Sequence, residues 1–298
     1  MLDRRHFLAA SVTAALTSTA AVSRISAIEP IPRNGQPKFK FSLAAYSYRD
    51  LLKGDSPKLT LTDFIDDCAK FGLEGTELTS YYFPKNTTPE YLRTLRRQCF
   101  RLGLDVSGTA VGNDFGLPPG EKRSTEIANT KQWIEFAEIL GAPVIRIFAG
   151  HQQKDQTEAQ AHSLMVQAIE ECCDYAGKHG VHLALENHGG PTDTADGLLK
   201  FVRDVQSPWF GVNLDSGNFH SDDPYAELER IAPYALNAQI KVVMSGPDKK
   251  KVPADMKRLA KILRGAHYRG YVVLEYEEAG NPREESAKYL DQLREAFA

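Results

Sequence analysis

From about Phe41 to the C-terminus the chain alternates between short apolar runs and longer stretches with helical spacing, and few folds accept that pattern. The short runs lie at 41–46, 75–78, 105–111, 144–148, 182–186, 211–214, 238–242 and 271–275. They are too short for helices and read as strands. The longer stretches lie at 61–71, 89–102, 125–140, 158–179, 195–205, 224–231, 253–265 and 283–297. Within them apolar residues recur three and four apart, as in Ile134, Ala137 and Leu140, or Leu259, Ile262 and Leu263. That spacing lines one face of a helix. Strands joined by helical crossovers run parallel. Eight such units predict a single α/β domain, a closed (β/α)8 or TIM barrel, because closure leaves no unpaired strand edge. Gly72, Gly103, Gly180 and Gly270 precede the next strands and are expected to cap the helices before them in the left-handed conformation.

The first 27 residues follow another pattern. Arg4 and Arg5 stand before a weakly apolar run, Phe7 to Val22, rich in Ala, Ser and Thr, and no acidic residue occurs from Arg4 to Ile28. This predicts a twin-arginine signal over 1–27 and an exported, periplasmic or extracellular product. The run is too short and too polar to remain as a stable membrane anchor. A linker rich in Pro and Gly spans 28–40, leaving 41–298 for the barrel. Removing the signal leaves roughly 270 residues, which suits one barrel of about 250. The formal net charge is −3 with both signs interspersed, which argues against a nucleic-acid partner. Cys68, Cys99, Cys172 and Cys173 all fall on predicted helices and suggest neither a disulfide framework nor a metal motif, so they are expected as small buried residues.

In such a barrel the C-terminal strand ends converge on one mouth, where chemistry is expected. The second strand delivers Glu77, the fifth Glu186, Asn187 and His188, and the sixth Asp215, Ser216, Gly217 and Asn218. The seventh presents Gln239 and Lys241, and the eighth Glu275. Taken singly, each has an ordinary structural role open to it, such as an ion pair or a backbone cap. Together, two glutamates and an aspartate in one mouth would repel each other and lose hydration, a cost that a divalent cation relieves. Three carboxylates with the Gln239 amide oxygen form a hard oxygen set that suits Mn²⁺, with Mg²⁺, Co²⁺ or Zn²⁺ as alternatives.

Arg146 on the fourth strand is positioned to pair with Glu186. Lys241 is positioned either to pair with a carboxylate or to orient a substrate oxygen and stabilise an enolate. His188 is a candidate for binding a hydroxyl, while Glu77, followed by Tyr81 and Tyr82, is a candidate for lining the pocket. His151 is a weaker candidate. The Gly189-Gly190-Pro191 turn lacks the spacing of a phosphate-binding loop.

The region from Lys40 to Phe297 resembles the sugar phosphate isomerase/epimerase family, the xylose isomerase-like barrels, which includes ketose 3-epimerases, inosose dehydratases, hydroxypyruvate isomerases and endonuclease IV. The resemblance rests on Leu185-Glu186-Asn187-His188, on Val212 through Asn218, on Gln239-Ile240-Lys241 and on Leu274-Glu275. It implies a metal held by Glu186, Asp215, Gln239 and Glu275, with Glu186 and Glu275 exchanging protons on opposite faces of a substrate held as an enediolate. Epimerases usually place His where this chain has Gln239, and often where it has Asn218; Gln at the former position looks more like the inosose dehydratases. The expectation is a metal-dependent sugar or ketose isomerase or epimerase acting on an unphosphorylated small molecule, with His188, Lys241, Glu77, Asn218 and Arg146 around the substrate. The alternatives are a lyase acting on a keto-sugar or inosose, and an exported sugar-binding barrel without catalysis. An endonuclease is disfavoured by export, by acidity and by too few strand-end histidines. The sequence leaves a homo-oligomer open.

Overall fold

The computed structural model describes residues 29–54, 56–246 and 250–298. The predicted signal at 1–27 lies outside the described residues. Eight parallel strands close into a barrel in sequence order: β1 (Lys38–Ala44), β2 (Gly75–Thr79), β3 (Asp105–Ala110), β4 (Val144–Ile147), β5 (His182–Glu186), β6 (Phe210–Asp215), β7 (Ala235–Lys241) and β8 (Arg269–Glu275). A helix follows each strand: α1 (Leu61–Lys70), α2 (Pro89–Arg101), α3 (Glu121–Leu140), α4 (Glu158–Lys178), α5 (Ala195–Asp204), α6 (Pro224–Ile231), α7 (Met256–Gly265) and α8 (Pro282–Phe297). The barrel predicted from the alternation is therefore the barrel observed.

Helix starts follow local chemistry. Thr60 and Asp63 form a reciprocal capping box at α1, as do Thr157 and Gln160 at α4. Thr88, Thr194, Asp223, Asp255 and Asn281 accept a backbone N–H at the starts of α2, α5, α6, α7 and α8. The main apolar core lies between the sheet and the helices. Ile65, Leu95, Ile134, Ile169, Leu198, Leu259 and Leu290 are buried with the strand residues Leu78, Ile145, Leu183, Val212, Ile240 and Leu274. Each such side chain contributes about 1.5–3 kcal/mol on burial. All four cysteines are free and buried on helices.

Several differences from the sequence reading have local causes. β1 begins at Lys38 because Lys38, Phe39 and Lys40 pair with Arg269, Gly270 and Tyr271 of β8. The preceding segment packs under the barrel rather than merely leading into it: Ile31 N donates to Pro233 O at 3.1 Å, and Arg33 donates to Ala266 O at 3.0 Å and lies 5.2 Å from the Tyr268 ring centre. α7 begins at Met256, not at residue 253, because Lys251–Pro253 pairs antiparallel with Val243–Ser245 in a small hairpin after β7. Finally, Gly72, Gly103 and Gly180 take positive φ as expected of caps, but Gly270 does not. It lies inside β8, and His267 makes the left-handed turn instead. A Cβ on Gly270 would stand 2.7 Å from Tyr268 Oη, so close packing explains that glycine.

Candidate active site

Residues two apart on a strand face the same side. Asn237, Gln239 and Lys241 therefore form one inward row on β7, and Asn213 and Asp215 form another on β6. The deeper members make a buried amide chain. Asn213 Nδ2 donates to Gln239 Oε1 at 2.6 Å, and Asn237 Nδ2 donates to Asn213 Oδ1 at 3.0 Å. Glu77 closes the chain, accepting from Asn237 Nδ2 at 2.9 Å and from Gln239 Nε2 at 2.7 Å. Burial pushes the Glu77 carboxyl up to about 7, against the lowering effect of these donors. Glu77, expected at the substrate, thus sits beneath the mouth with both oxygens engaged.

Above this layer Glu186 faces Arg146, whose Nε lies 2.8 Å from Oε2. Its Oε1 accepts from Asn218 Nδ2 at 2.8 Å and lies 3.0 Å from His188 Nδ1. Burial raises the proton affinity of Glu186, but Arg146 and His188 outweigh it and hold the carboxyl below its ordinary value. Arg146 also donates to Val111 O at 2.9 Å and lies 4.0 Å from the Phe148 ring centre. Phe148 in turn lies 4.5 Å from the His188 ring.

On the neighbouring strand β6, Asp215 Oδ1 accepts from Gly217 N at 2.7 Å, while Oδ2 is buried without a hydrogen bond. Lys241 Nζ lies 3.4 Å from that Oδ2 and 3.0 Å from Glu277 Oε1. Burial pushes Asp215 up to about 7 despite Lys241. Glu275 is also buried, and desolvation with the charges of Asp215, Glu277 and Glu186 raises it well above the carboxylate range, Lys241 opposing. Burial works against the Lys241 charge, but the four carboxylates Asp215, Glu275, Glu277 and Glu186 keep it an ammonium.

The structure thus gathers Glu186, Asp215, Glu275, Lys241, Arg146, His188 and Asn218 at the mouth and sets Glu77 and Gln239 below it. His151 is on the rim, its ring mostly exposed and 3.4 Å from Asp114 Oδ2. Tyr81 is partly exposed, 3.3 Å from Arg146 Nη2, and packs edge-on against Tyr46. Sequence reasoning missed Glu277, Asn213, Asn237 and Tyr46. For the first three the signal was a spacing of two: Glu277 from Glu275, Asn213 from Asp215, and Asn237 from Gln239. A cavity of about 540 Å³ lies beside the mouth between α4 and α5, lined by His151, His162, Pro191, Lys200 and Phe201 among others. The strand-end carboxylates do not line it.

The implied divalent ion needs oxygens that are free to turn toward it. Gln239 Oε1 is taken by Asn213, both Glu186 oxygens are engaged, and the free oxygen of Asp215 faces an ammonium. Among the described residues, no three His, Cys, Asp or Glu side chains form a set able to hold an ion. As arranged, the donor set does not fit a divalent ion.

Comparison with known proteins places this geometry. The xylose isomerase-like TIM barrel family matches residues 65–296. The chain is 24% identical over 211 residues to a 3-dehydroshikimate dehydratase of Bacillus anthracis, covering 69% of this chain and 72% of that protein. Its fold is similar to a D-psicose 3-epimerase from Clostridium cellulolyticum H10, with a TM-score of 0.71 and 16% identity over 87% of this chain and 99% of that one. It is also similar to a 3-keto-D-glucoside 4-epimerase from E. coli, with a TM-score of 0.68 and 16% identity over 87% and 100%. The length of the family match, over a closed eight-stranded barrel with polar strand ends, decides the assignment: the chain belongs to the xylose isomerase-like TIM barrel family.

Proposed function

We propose that the protein is an isomerase or epimerase that moves a proton on the carbon beside the carbonyl of a small unphosphorylated ketose or keto-sugar. The observation that carries this reading is the opposed tuning of two buried glutamates in one mouth. Arg146 keeps Glu186 ionised, whereas desolvation and neighbouring carboxylates favour the protonated form of Glu275. Such a split supplies a base and an acid at one pH. Glu186 accepts the carbon-bound proton and Glu275 delivers one to the other face. His188 and Asn218, both hydrogen-bonded near Glu186 and partly exposed, are placed to bind substrate hydroxyls. A divalent ion, Mn²⁺ before Mg²⁺, Co²⁺ or Zn²⁺, would require Gln239 to leave Asn213 and Lys241 to leave Asp215; the proton transfer as proposed does not need it.

Elimination of water is a second reading, favoured by Gln239 and by the similarity to a 3-dehydroshikimate dehydratase. The Arg4-Arg5 segment supports export, which sequencing the N-terminus of secreted protein would test.

The deciding experiment incubates the protein with ketoses, 3-keto-glycosides, inosose and 3-dehydroshikimate in deuterated water and follows each by NMR. Deuterium entering beside the carbonyl without loss of water supports the isomerase or epimerase, and loss of water, seen as a new enone from a keto-sugar or inosose or as new aromatic signals from 3-dehydroshikimate, supports the lyase. Inertness toward every such carbonyl compound would leave a sugar-binding barrel.

A further inference from the structure

We propose that Lys241 is the resident cation of this mouth, and that its ammonium takes the place of a divalent ion in drawing the substrate carbonyl and holding the enolate oxygen. The proposal rests on the proton-transfer reading above and names the group that accommodates its negative charge.

Four observations converge on Lys241. It is the outermost member of the inward row Asn237, Gln239, Lys241, and its side chain is nearly buried at the open end of the barrel. Its stem is cradled: a Cβ on Gly217 would stand 2.7 Å from Lys241 Cδ and 3.1 Å from its Cβ, so only glycine leaves the lysine its path. The backbone is fixed as well, because Lys241 N donates to Ser216 Oγ at 2.8 Å, tying the ends of β6 and β7 together. Last, the ammonium has three protons. Glu277 Oε1 at 3.0 Å and Asp215 Oδ2 at 3.4 Å are ion-pair contacts rather than formed hydrogen bonds, so donor capacity remains for an incoming oxygen. The amide oxygen that an ion would need from Gln239 is meanwhile spent on Asn213.

In the step this supports, the carbon–hydrogen bond beside the carbonyl breaks and the proton passes to the Glu186 carboxylate. The bonding pair forms the carbon–carbon double bond, and the carbonyl π pair moves onto oxygen, which accepts a hydrogen bond from the Lys241 ammonium. Return of the pair to carbon takes the proton of Glu275, and neither oxidant nor reductant is required. A fixed cation aimed where charge develops is the usual means of lowering such a barrier.

The test is a Mn²⁺ titration of EDTA-treated, full-length protein by calorimetry and by thermal melting, for the wild type, Lys241→Met and Lys241→Gln, with far-UV circular dichroism to establish folding. The wild type is expected to bind no Mn²⁺ more tightly than about 1 mM and to keep its melting temperature. Removing the ammonium leaves Asp215 and Glu277 without their cation, so a folded Lys241 variant should gain at least about tenfold in Mn²⁺ affinity. Uptake of one Mn²⁺ per chain by the wild type near micromolar concentration would overturn the proposal, as would variants that bind no better than the wild type. Either result leaves proton transfer open, whereas failure of deuterium exchange would sink the proposed function without changing the titration.

Discussion

Arg146 Nε stands 2.8 Å from Glu186 Oε2, with both side chains nine-tenths or more removed from solvent. The N–H does not point along that line, so the contact is an ion pair rather than a formed hydrogen bond. Two charges on neighbouring strands, β4 and β5, thus depend on each other inside the barrel. This pair holds Glu186 below its ordinary value, whereas Asp215 and Glu275, clustered with Lys241, are shifted upward by burial.

Replacing Arg146 with Met should strand the Glu186 charge and cost about 3–5 kcal/mol near neutral pH. Because Glu186 is held below its ordinary 4.5, the pair's stabilisation is present above that value and is lost as pH falls through the lowered one. Urea denaturation should therefore show the wild type and Arg146→Met converging in acid. Equal stabilities at neutral pH would show that the pair is inert.

Glu77 has the opposite sign. Its folded carboxyl titrates at about 7 against an ordinary 4.5, so across that window the folded state keeps a proton that the unfolded state has lost. Stability should fall as pH rises through the window, by up to about 1.4 kcal/mol per unit, and level off above it. Glu77→Gln should remove its own share of that slope, leaving the shares of Asp215 and Glu275, while costing about 1–3 kcal/mol because one donor of Asn237 or Gln239 loses its acceptor. Denaturation midpoints measured across the window check both effects, and parallel profiles for the two proteins would refute the first.

Glu186→Gln and Glu275→Gln should each lower turnover by about 10²–10⁴-fold on whichever carbonyl substrate the screen finds. Both should stay folded, as judged by melting. A double variant that retains turnover would end the two-glutamate reading.

The thiols offer a check that needs no substrate. Burial pushes Cys99 and Cys172 up to about 12 and raises Cys68 and Cys173 as well. A thiol reagent at neutral pH should label none of the four in the folded protein and all of them in denaturant. Rapid labelling of native protein would contradict this burial.

The eight strands and eight helices were legible because their spacing signals are local: a short apolar run bounded by helical periodicity identifies itself. The hairpin after β7 was not legible, since its three-residue strands are too short to show alternation. The start of α3 was missed for another reason. Glu121, Lys122, Arg123 and Ser124 carry no apolar period, yet Arg123 is buried there, donating to Leu117 O at 3.1 Å.

The sequence by itself determined that Glu77, Glu186, Asp215, Gln239, Lys241 and Glu275 stand near strand ends facing the barrel interior, because strand ends and inward parity follow from chain order and the two-residue repeat. Only the tertiary structure decided what those groups do to one another. Gln239 turns its oxygen to Asn213, Glu77 drops beneath the mouth, and Glu277 shares Lys241 with Asp215. Which donor meets which acceptor depends on register and stagger between strands distant in sequence, and so does the sign of each carboxylate's shift. In a low-dielectric interior, contacts a few ångströms apart outweigh residue identity.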